Sequence, residues 1–316
     1  MFISIAVGIS LLLSVFPSMG ASFQDGLGRE VILESPPRRI IPLAPSLTEI
    51  LYYLGLGDRV VGVTRFSYFP PEAAEKPKIG SYVNLNTEKI ITLNPDLAIG
   101  TVDGNRQGVV ELLEQAGIPV YIVNPRKVRD VIDTVFDIGA LCGVKERAHQ
   151  LSSHLNGRLQ AVSEQTGHVK RPLVFLQINV KPIITVNRDT LHHDLIRLAG
   201  GKNLAADEPV AYPRISLEEV IRRKPQVILI SSMERGGEFA RVRKQWLRWS
   251  SLPAVKNGRV HLINSDLIDR ASPRIVTGLE AMAKALHPNI SWPGERPLEG
   301  DGDTGALMVK RHSGAE

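Results

Sequence analysis

Residues 39–125 alternate between short apolar runs and longer amphipathic runs, which predicts strands and helices in turn. Runs such as "DLAIG" and "PVYIV" have the length of buried strands, and "RQGVVELLEQAG" between them has the period of a helix. Strands that alternate with helices in this way form a parallel sheet covered by helices on both faces. The pattern therefore predicts an N-terminal α/β lobe over residues 21–125.

The start of this lobe carries two more specific predictions. "RRIIPLA" and "RVVGV" are predicted as strands, and "SLTEILYYLG" between them as a helix. Ser46 and Glu49 have the spacing of a capping box, in which a serine caps the helix and a glutamate follows three residues later.

After Pro125 the pattern changes to two long helical runs, "RKVRDVIDTVFDIGALCG" and "KERAHQLSSHLNGRLQAVSEQTG". They predict a helical connector over residues 126–167. Alternation resumes at "PLVFLQI" and continues to "RVHLIN" and a last helix, "PRIVTGLEAMAKAL", which predicts a second α/β lobe over residues 168–290. Because a helical connector cannot flex like a glycine-rich linker, we expect a nearly fixed cleft between the two lobes.

The two ends of the chain differ from the lobes. Residues 1–20 carry no charged side chain, and their apolar run from Phe2 to Val15 is short for a membrane span. A cleavage signature, Ser18-x-Gly20, follows, so we interpret these residues as a secretory signal peptide, with a buried N-terminal helix as the alternative. Residues 291–316 are rich in Gly, Pro and acids without periodicity, which predicts a disordered tail.

Charge and cysteine content narrow the class of protein. The formal net charge is +5, and because the tail contributes −2, the rest of the chain carries about +7. No continuous basic run accompanies this charge, and "RVRKQWLRW" is interpreted as a helix with a solvated face, so we expect no nucleic-acid partner. The single cysteine, Cys142, can form no internal disulfide and lies far from the cleavage site, so no lipid-anchor cysteine is available there.

Signatures of catalysis are scarce in this sequence. It contains no G-x-S-x-G elbow, P-loop or C-x-x-C motif. His192 and His193 are adjacent, and adjacent residues on a helix do not share a face, so we interpret them as surface histidines and not as a metal site. We therefore predict that the protein is not an enzyme, and keep a metal-dependent enzyme on a similar fold as an alternative.

Candidate ligand-binding residues lie in loops that follow strands, where open α/β sheets bind ligands. These loops are rich in aromatic side chains with a few charged groups: Phe66, Tyr68, Phe69 and Tyr82 in the first lobe, and Tyr212, Asp266, Asp269 and Arg270 in the second. This composition suits a large, partly apolar organic ligand.

One helix-to-strand pattern occurs twice. "NTEKIITLNPDLAIG" begins at Asn86 and "SLEEVIRRKPQVILI" at Ser216, 130 residues later. Asn86 and Ser216 are predicted N-caps, which places Glu88 and Glu218 at the second helical position of equivalent helices. Glu219 has the spacing to complete a capping box with Ser216. A first-turn acid also simply complements the helix dipole, so the repeat leaves both interpretations open.

The motifs "RRIIPLAPSLTEILYYLGLGDRVVGVTRFSYFPPEA", "NTEKIITLNPDLAIG", "VFLQI", "LAGGKNLA" and "DRASPRI" resemble the periplasmic binding proteins of ABC importers. The resemblance covers nearly all of residues 39–288. It points to the helix-bridged class that carries cobalamin, haem and iron–siderophores, and within that class to the vitamin B12 binding proteins. It implies two Rossmann-like lobes, joined by one long rigid helix, that move little when ligand enters the cleft between them.

The resemblance also implies a ligand and the residues that bind it. The ligand is expected to be a corrinoid, with cobalamin as the first candidate and a haem or iron–siderophore as the alternative. The expected ligand-binding residues are Phe66, Tyr82, Tyr212, Asp266, Leu267, Ile268, Asp269 and Arg270. Leu267 and Ile178 stand where family members have aromatic residues, which keeps a different tetrapyrrole or chelate open.

Family members present one glutamate from each lobe to arginines of the membrane permease, and these positions fall on Glu88 and Glu218. We therefore expect a monomer in the periplasm that docks on the permease dimer of an ABC importer in the inner membrane. No resident cofactor is expected, because the corrinoid is cargo.

Overall fold

The structure is a computed structural model that describes residues 20–231 and 238–292. All but the last residue of the predicted signal peptide, and the predicted tail beyond Trp292, lie outside the described residues. The strands are β1 Ala21–Gln24, β2 Glu30–Leu33, β3 Ile40–Pro42, β4 Leu97–Thr101, β5 Val120–Val123, β6 Leu173–Gln177, β7 Lys202–Asn203, β8 Val227–Ile230 and β9 Val260–Leu262. The helices are α1 Pro45–Tyr53, α2 Thr87–Thr92, α3 Gln107–Gln115, α4 Val128–Leu141, α5 Lys145–Thr166, α6 Leu191–Leu198, α7 Leu217–Arg223, α8 Glu238–Trp246, α9 Pro253–Lys256, α10 Ser265–Ile268 and α11 Ile275–Leu286.

Each lobe is built on a parallel sheet, as the alternation of strands and helices predicts. The N-terminal sheet has the order β3-β4-β5, and the antiparallel β1–β2 hairpin precedes it. The C-terminal sheet has the order β7-β6-β8-β9, with all strands parallel. The fold is therefore α/β with two parallel-sheet lobes.

The predicted strand "RVVGV" is wrong as a full strand. A short 3₁₀ helix ends at Arg59, and Val60 then forms a single parallel bridge to Ile40. The chain changes partner almost at once, because Val63 pairs with Lys78 instead. A single bridge beside β3 does not make a strand, although it occupies the place that the two-residue β7 takes beside β6.

Both faces of each sheet are buried, as expected for parallel strands. Along β8, Val227 and Leu229 contribute to one apolar cluster, and Ile228 and Ile230 contribute to another on the opposite face. Residues of β4 divide in the same way between two clusters in the N-terminal lobe. The period of two along each strand thus gives each lobe a three-layered, helix–sheet–helix packing.

The connector is a pair of helices, α4 and α5, joined by three residues, and both helices contact both lobes. Val131 and Ile132 of α4 belong to the core of the C-terminal lobe, whereas Val135 and Ile138 belong to the core of the N-terminal lobe. Helix α5 runs back in the same way, from Ala148 in the N-terminal core to Leu155, Leu159 and Val162 in the C-terminal core. The lobes are thus joined by two packed helices, of which α5 is the longer with 22 residues.

The two connector helices touch most closely at a glycine. A Cβ atom on Gly139 would lie 2.2 Å from the Cβ of Ala148, a distance that real Cβ atoms do not reach. Small residues at this crossing let the two backbones approach each other.

Two local expectations are corrected by the structure. Helix α1 begins at Pro45 after Ala44, so Ser46 lies inside the helix and the predicted capping box with Glu49 does not form. The tail does not leave the body at Ser291, because Trp292 packs against the C-terminal core and its indole N–H donates to the His287 carbonyl at 3.4 Å. Among the described residues, no helix combines the length and apolar character needed to cross a membrane.

Candidate ligand-binding cleft

Loops from the two lobes meet at the carboxyl ends of their strands. The Tyr68 hydroxyl of the N-terminal lobe donates to Asp266 Oδ1 of the C-terminal lobe at 2.5 Å. The Arg270 guanidinium reaches in the other direction and donates to the Phe66 carbonyl at 3.2 Å and to the Tyr68 hydroxyl. The predicted residues Phe66, Asp266 and Arg270 are therefore neighbours in the folded chain, although about 200 positions separate Phe66 from the other two in sequence.

Aromatic side chains with exposed faces surround this meeting point. Phe66 is 47% exposed and Tyr212 is 49% exposed, so each keeps part of its ring available for contact with a ligand. Burial of the rest of its ring raises the pKa of Tyr212, and the nearby carboxylates of Asp103 and Asp269 raise it further. The charge of Tyr82 from the N-terminal lobe raises the pKa of Tyr212 slightly in the same direction.

The position of Tyr82 is fixed by the loop after β4. Gly104 has a φ of +123°, and a Cβ there would lie 2.1 Å from the Tyr82 ring. The Asn105 amide Nδ2 donates to the Tyr82 carbonyl at 2.9 Å and to the Leu43 carbonyl at 3.0 Å. Gly104 thus packs closely against the Tyr82 ring, and Asn105 fixes the backbone of Tyr82.

Asp269 is held by two residues that the sequence did not associate with it. Its Oδ1 lies 2.8 Å from His192 Nε2, and its Oδ2 accepts a hydrogen bond from the Ser231 hydroxyl at 3.1 Å. The prediction that His192 is a surface histidine is wrong, because its side chain is buried and only 7% of the residue is exposed. The ring of His192 also contacts Tyr212 edge-on, with centroids 6.4 Å apart.

Three apolar residues at positions that the family resemblance associates with the ligand do not line the cleft. Leu267 is 1% exposed and Ile268 is 0% exposed, and both belong to the C-terminal core with α11. The short helix α10 turns Leu267 and Ile268 inward, whereas Asp266 and the C-cap residue Asp269 stay partly exposed, so Leu267 and Ile268 offer no surface to a ligand. Ile178 is also largely buried, at 9% exposure, in the same core.

Glu49 is the residue at this site that sequence reasoning missed. Its carboxylate accepts hydrogen bonds from Arg270 Nη1 at 2.6 Å and from the Ser272 hydroxyl at 2.6 Å. Burial raises the pKa of Glu49, and the charges of Arg270 and Arg274 oppose that shift. A signal was present, because an acid within the apolar run "SLTEILYYLG" is unusual unless it has a buried partner.

The two repeated glutamates are placed as their helices predict. Asn86 Oδ1 accepts from the Lys89 N–H at 2.9 Å, and Ser216 Oγ accepts from the Glu219 N–H at 3.1 Å, which confirms both N-caps. Glu88 and Glu218 follow at the second position of α2 and α7, and both are exposed. The carboxylate of Glu219 binds the guanidinium groups of Arg222 and Arg223 and does not complete a capping box.

Cleft aromatics and glutamates occur at the same spacing in the two lobes. Tyr82 lies six residues before Glu88, and Tyr212 lies six residues before Glu218. Each lobe therefore offers an aromatic side chain in the loop just before the helix that carries its exposed glutamate.

The loops between the lobes combine paired charged groups with exposed aromatic side chains. Within residues 20–231 and 238–292, no group of three or more His, Cys, Asp or Glu side chains could hold a metal ion. The polar groups at the cleft are instead engaged with one another, and aromatic faces remain exposed beside them. Two α/β lobes, a stiff helical connector and an aromatic cleft define a solute-binding protein.

The chain belongs to the periplasmic binding protein family, whose model matches residues 40–267. It is 32% identical over 245 residues to the vitamin B12-binding protein of Vibrio parahaemolyticus, which covers 77% of this chain and 87% of that protein. It is 30% identical over 248 residues to the vitamin B12-binding protein of Yersinia pestis strain Pestoides F, covering 78% of this chain and 86% of that one.

Solved structures agree with this assignment. The periplasmic vitamin B12 binding protein BtuF of Vibrio cholerae matches with a TM-score of 0.72 and 34% identity, over 80% of this chain and 98% of that one. A periplasmic heme-binding protein of Pseudomonas aeruginosa matches with the same TM-score of 0.72 and 26% identity, over 83% of this chain and 96% of that one. The fold is thus shared by carriers of different ligands, and the ligand must be argued from the site.

Proposed function

We propose that this protein is a periplasmic carrier that binds a corrinoid, with cobalamin as the first candidate, and delivers it to an ABC importer. The observation that carries the proposal is the set of partly exposed aromatic side chains, Phe66, Tyr82 and Tyr212, in loops of the two lobes. A corrin ring offers large apolar faces to such side chains, and its peripheral amides can pair with carboxylates and guanidinium groups.

The charge of the cleft favours a corrinoid over a haem or an iron–siderophore. Arg270 and Arg274 both contact Glu49, and Arg270 also lies 3.1 Å from Asp266. Arg126, whose charge acts on Tyr212, is paired with Asp103 at 2.9 Å. A ligand with several carboxylates or phenolates would have to compete with these internal anions for each cation. An amide-rich ligand of low net charge depends less on displacing these anions, because it needs no cation to balance its charge.

Calorimetry with the mature protein tests the ligand. Titrations with cyanocobalamin, haemin and a ferric siderophore should give binding at or below micromolar concentration for cyanocobalamin and much weaker binding for the other two. Tight binding of haemin or the siderophore without cobalamin binding would reject the corrinoid and leave the family unchanged.

We further propose that Glu88 and Glu218 are the groups that dock on the permease dimer. The proposal is supported by their exposure at matching positions of α2 and α7 and by the absence of a salt bridge to either within the described residues. Equivalent helix starts on two similar lobes suit a partner with two-fold symmetry, in which each half supplies an equivalent cation.

A further inference from the structure

Glu49 is a buried carboxylate whose partners all come from the other lobe. It lies on α1 of the N-terminal lobe and is 0% exposed. Its partners Arg270, Ser272 and Arg274 all lie in the short segment between α10 and α11 of the C-terminal lobe. One carboxylate thus gathers three donors across the interface between the lobes.

Helix α1 presents a distinct face to the C-terminal lobe. Leu47, Ile50 and Leu51 face the core of their own lobe. Tyr53, four residues after Glu49 and therefore on the same face of the helix, belongs to the core of the opposite lobe. Glu49 and Tyr53 thus lie on the face of α1 that contacts the C-terminal lobe.

A buried ion pair is a poor source of folding stability, because desolvation of both charges offsets most of their attraction. Well-packed apolar residues would join the lobes at least as well, so the carboxylate calls for a more specific role. A carboxylate, unlike a leucine, can fix the orientation of a guanidinium group through directional hydrogen bonds.

Arg270 is the arginine whose guanidinium group Glu49 orients. Its Nη1 donates to Glu49 at 2.6 Å, and its Nη2 points the other way, to Asp266 at 3.1 Å and to the Phe66 carbonyl at 3.2 Å. A guanidinium is a rigid planar fork, so a bond at one nitrogen fixes where the others lie. Its side chain is only 12% exposed.

Arg274 is held by the same carboxylate and by an aromatic face. Its Nη1 lies 3.5 Å from Glu49, and its guanidinium carbon lies 4.0 Å from the ring centre of Phe69 of the N-terminal lobe. The Phe69 ring in turn lies 6.4 Å from that of Tyr53. Glu49 is therefore the shared anion between two arginines that bridge the lobes.

We propose that Glu49 is a positioning residue for the cleft: it holds Arg270 in a binding-ready orientation from the opposite lobe and fixes the separation of the lobes before ligand enters. Orientation in advance lowers the ordering cost that ligand binding would otherwise carry. The part of this inference that concerns ligand affinity rests on the proposed function, whereas the part that concerns lobe separation does not.

The separation of the lobes is tested without ligand by double electron–electron resonance, which measures the distance between two spin labels. Spin labels are placed at Leu112→Cys on α3 and Lys256→Cys on α9, two exposed positions in different lobes, in a Cys142→Ala background. The parent protein should give one narrow distance distribution, and Glu49→Gln should broaden it or move its centre. Ser272→Ala removes one donor to the same carboxylate and should broaden it less, which keeps the test available if Glu49→Gln does not fold.

Thr48→Val is the matched control for this measurement. Thr48 adjoins Glu49, is also 0% exposed, and its hydroxyl bonds to Ala44 and Ser67 within its own lobe. Its loss should lower the melting temperature without changing the distance distribution. Distributions that stay unchanged in both Glu49→Gln and Ser272→Ala, or that change equally in Thr48→Val, would overturn the proposal.

Positioning of Arg270 is tested by a double-mutant cycle on ligand affinity. Glu49→Gln should weaken cyanocobalamin binding by at least about tenfold, and should cause no further loss in an Arg270→Gln background. Losses that multiply in the double variant would reject positioning through Arg270. If the parent protein binds no cobalamin, the proposed function fails while the spin-label distances still decide the role of Glu49 in lobe separation.

Discussion

Cys142 illustrates how burial decides the chemistry of a single residue. It is the one cysteine of the chain, is 0% exposed, and packs in the N-terminal core beside α4. Burial raises the pKa of its thiol to about 12. Because the thiolate is the reactive form, a thiol with this pKa is almost unreactive at neutral pH.

We predict that Cys142 does not react with Ellman's reagent at pH 8 in the native protein. In guanidinium chloride the same thiol becomes exposed and should react completely within minutes. Rapid stoichiometric reaction under native conditions would show that the core around Cys142 is open.

Some residues of the site could be predicted from the sequence, whereas the contacts of others could not. The aromatic cleft residues Phe66, Tyr82 and Tyr212 could be proposed because their loops follow predicted strands. The partners of Glu49 and His192 could not, since they lie more than 70 positions away along the chain. A local sequence pattern predicts which residues are neighbours on the same helix. It does not predict which loop of the other lobe will contact that helix.

At the scale of elements, the connector depends on one close contact between helices. Gly139 of α4 lies against Ala148 of α5, and both helices contribute to the cores of both lobes. Extra atoms at this crossing would push apart the two helices that hold the lobes together.

We predict that Gly139→Ala destabilises the protein by about 1–3 kcal/mol, the usual cost of overpacking. Gly157→Ala is the matched control, because this glycine lies on α5 with nothing within 4 Å of an added Cβ. There the gain in helix propensity should stabilise by up to about 1 kcal/mol. Urea unfolding of both variants checks the signs, and equal effects would contradict the close crossing.

Strand β9 carries a histidine that should make stability depend on pH. His261 is largely buried and its Nε2 has no hydrogen-bond partner within the described residues. Burial, together with the charges of Arg259 and Arg243, lowers the pKa of His261 from 6.5 to about 4. The folded state thus favours the neutral ring, so its contribution to stability is complete above pH 6.5 and is lost as the pH falls toward 4.

We predict that His261→Phe reduces the loss of stability between pH 6.5 and pH 4. The largest effect that such a shift can produce is about 3 kcal/mol. Unfolding free energies of the parent and the variant at pH 7, 5.5 and 4 provide the measurement. Parallel pH profiles would mean that His261 is not responsible.

At the scale of the whole molecule, two similar lobes present two similar surfaces. The order of the strands, the N-caps and the spacing from tyrosine to glutamate repeat between the lobes. The repeat and the α/β alternation could be predicted from the sequence, because local periodicity determines both. The pairing of the connector helices and the short contact beside β3 could not, since they depend on packing between distant segments.

We predict that the Glu88→Ala/Glu218→Ala double variant binds ligand normally but does not associate with the importer. Each first-turn acid contributes only about 0.3–1 kcal/mol to its helix, so folding should be almost unchanged. At an interface, the loss of one partner of a desolvated charge pair costs about 2–5 kcal/mol. Full transport by the double variant would leave the two glutamates as ordinary first-turn acids, and loss of ligand binding would place them in the cleft.

The most direct test of the central claim is equilibrium dialysis of residues 21–316 against cyanocobalamin, with Tyr82→Ala/Tyr212→Ala in parallel. Ile32→Ala, which removes an exposed apolar side chain from the β1–β2 hairpin, is the control. A corrinoid held between the two tyrosines predicts one equivalent bound by the parent and by Ile32→Ala, and at least about tenfold weaker binding by the double variant. No binding by the parent, or equal binding by all three proteins, would contradict the claim.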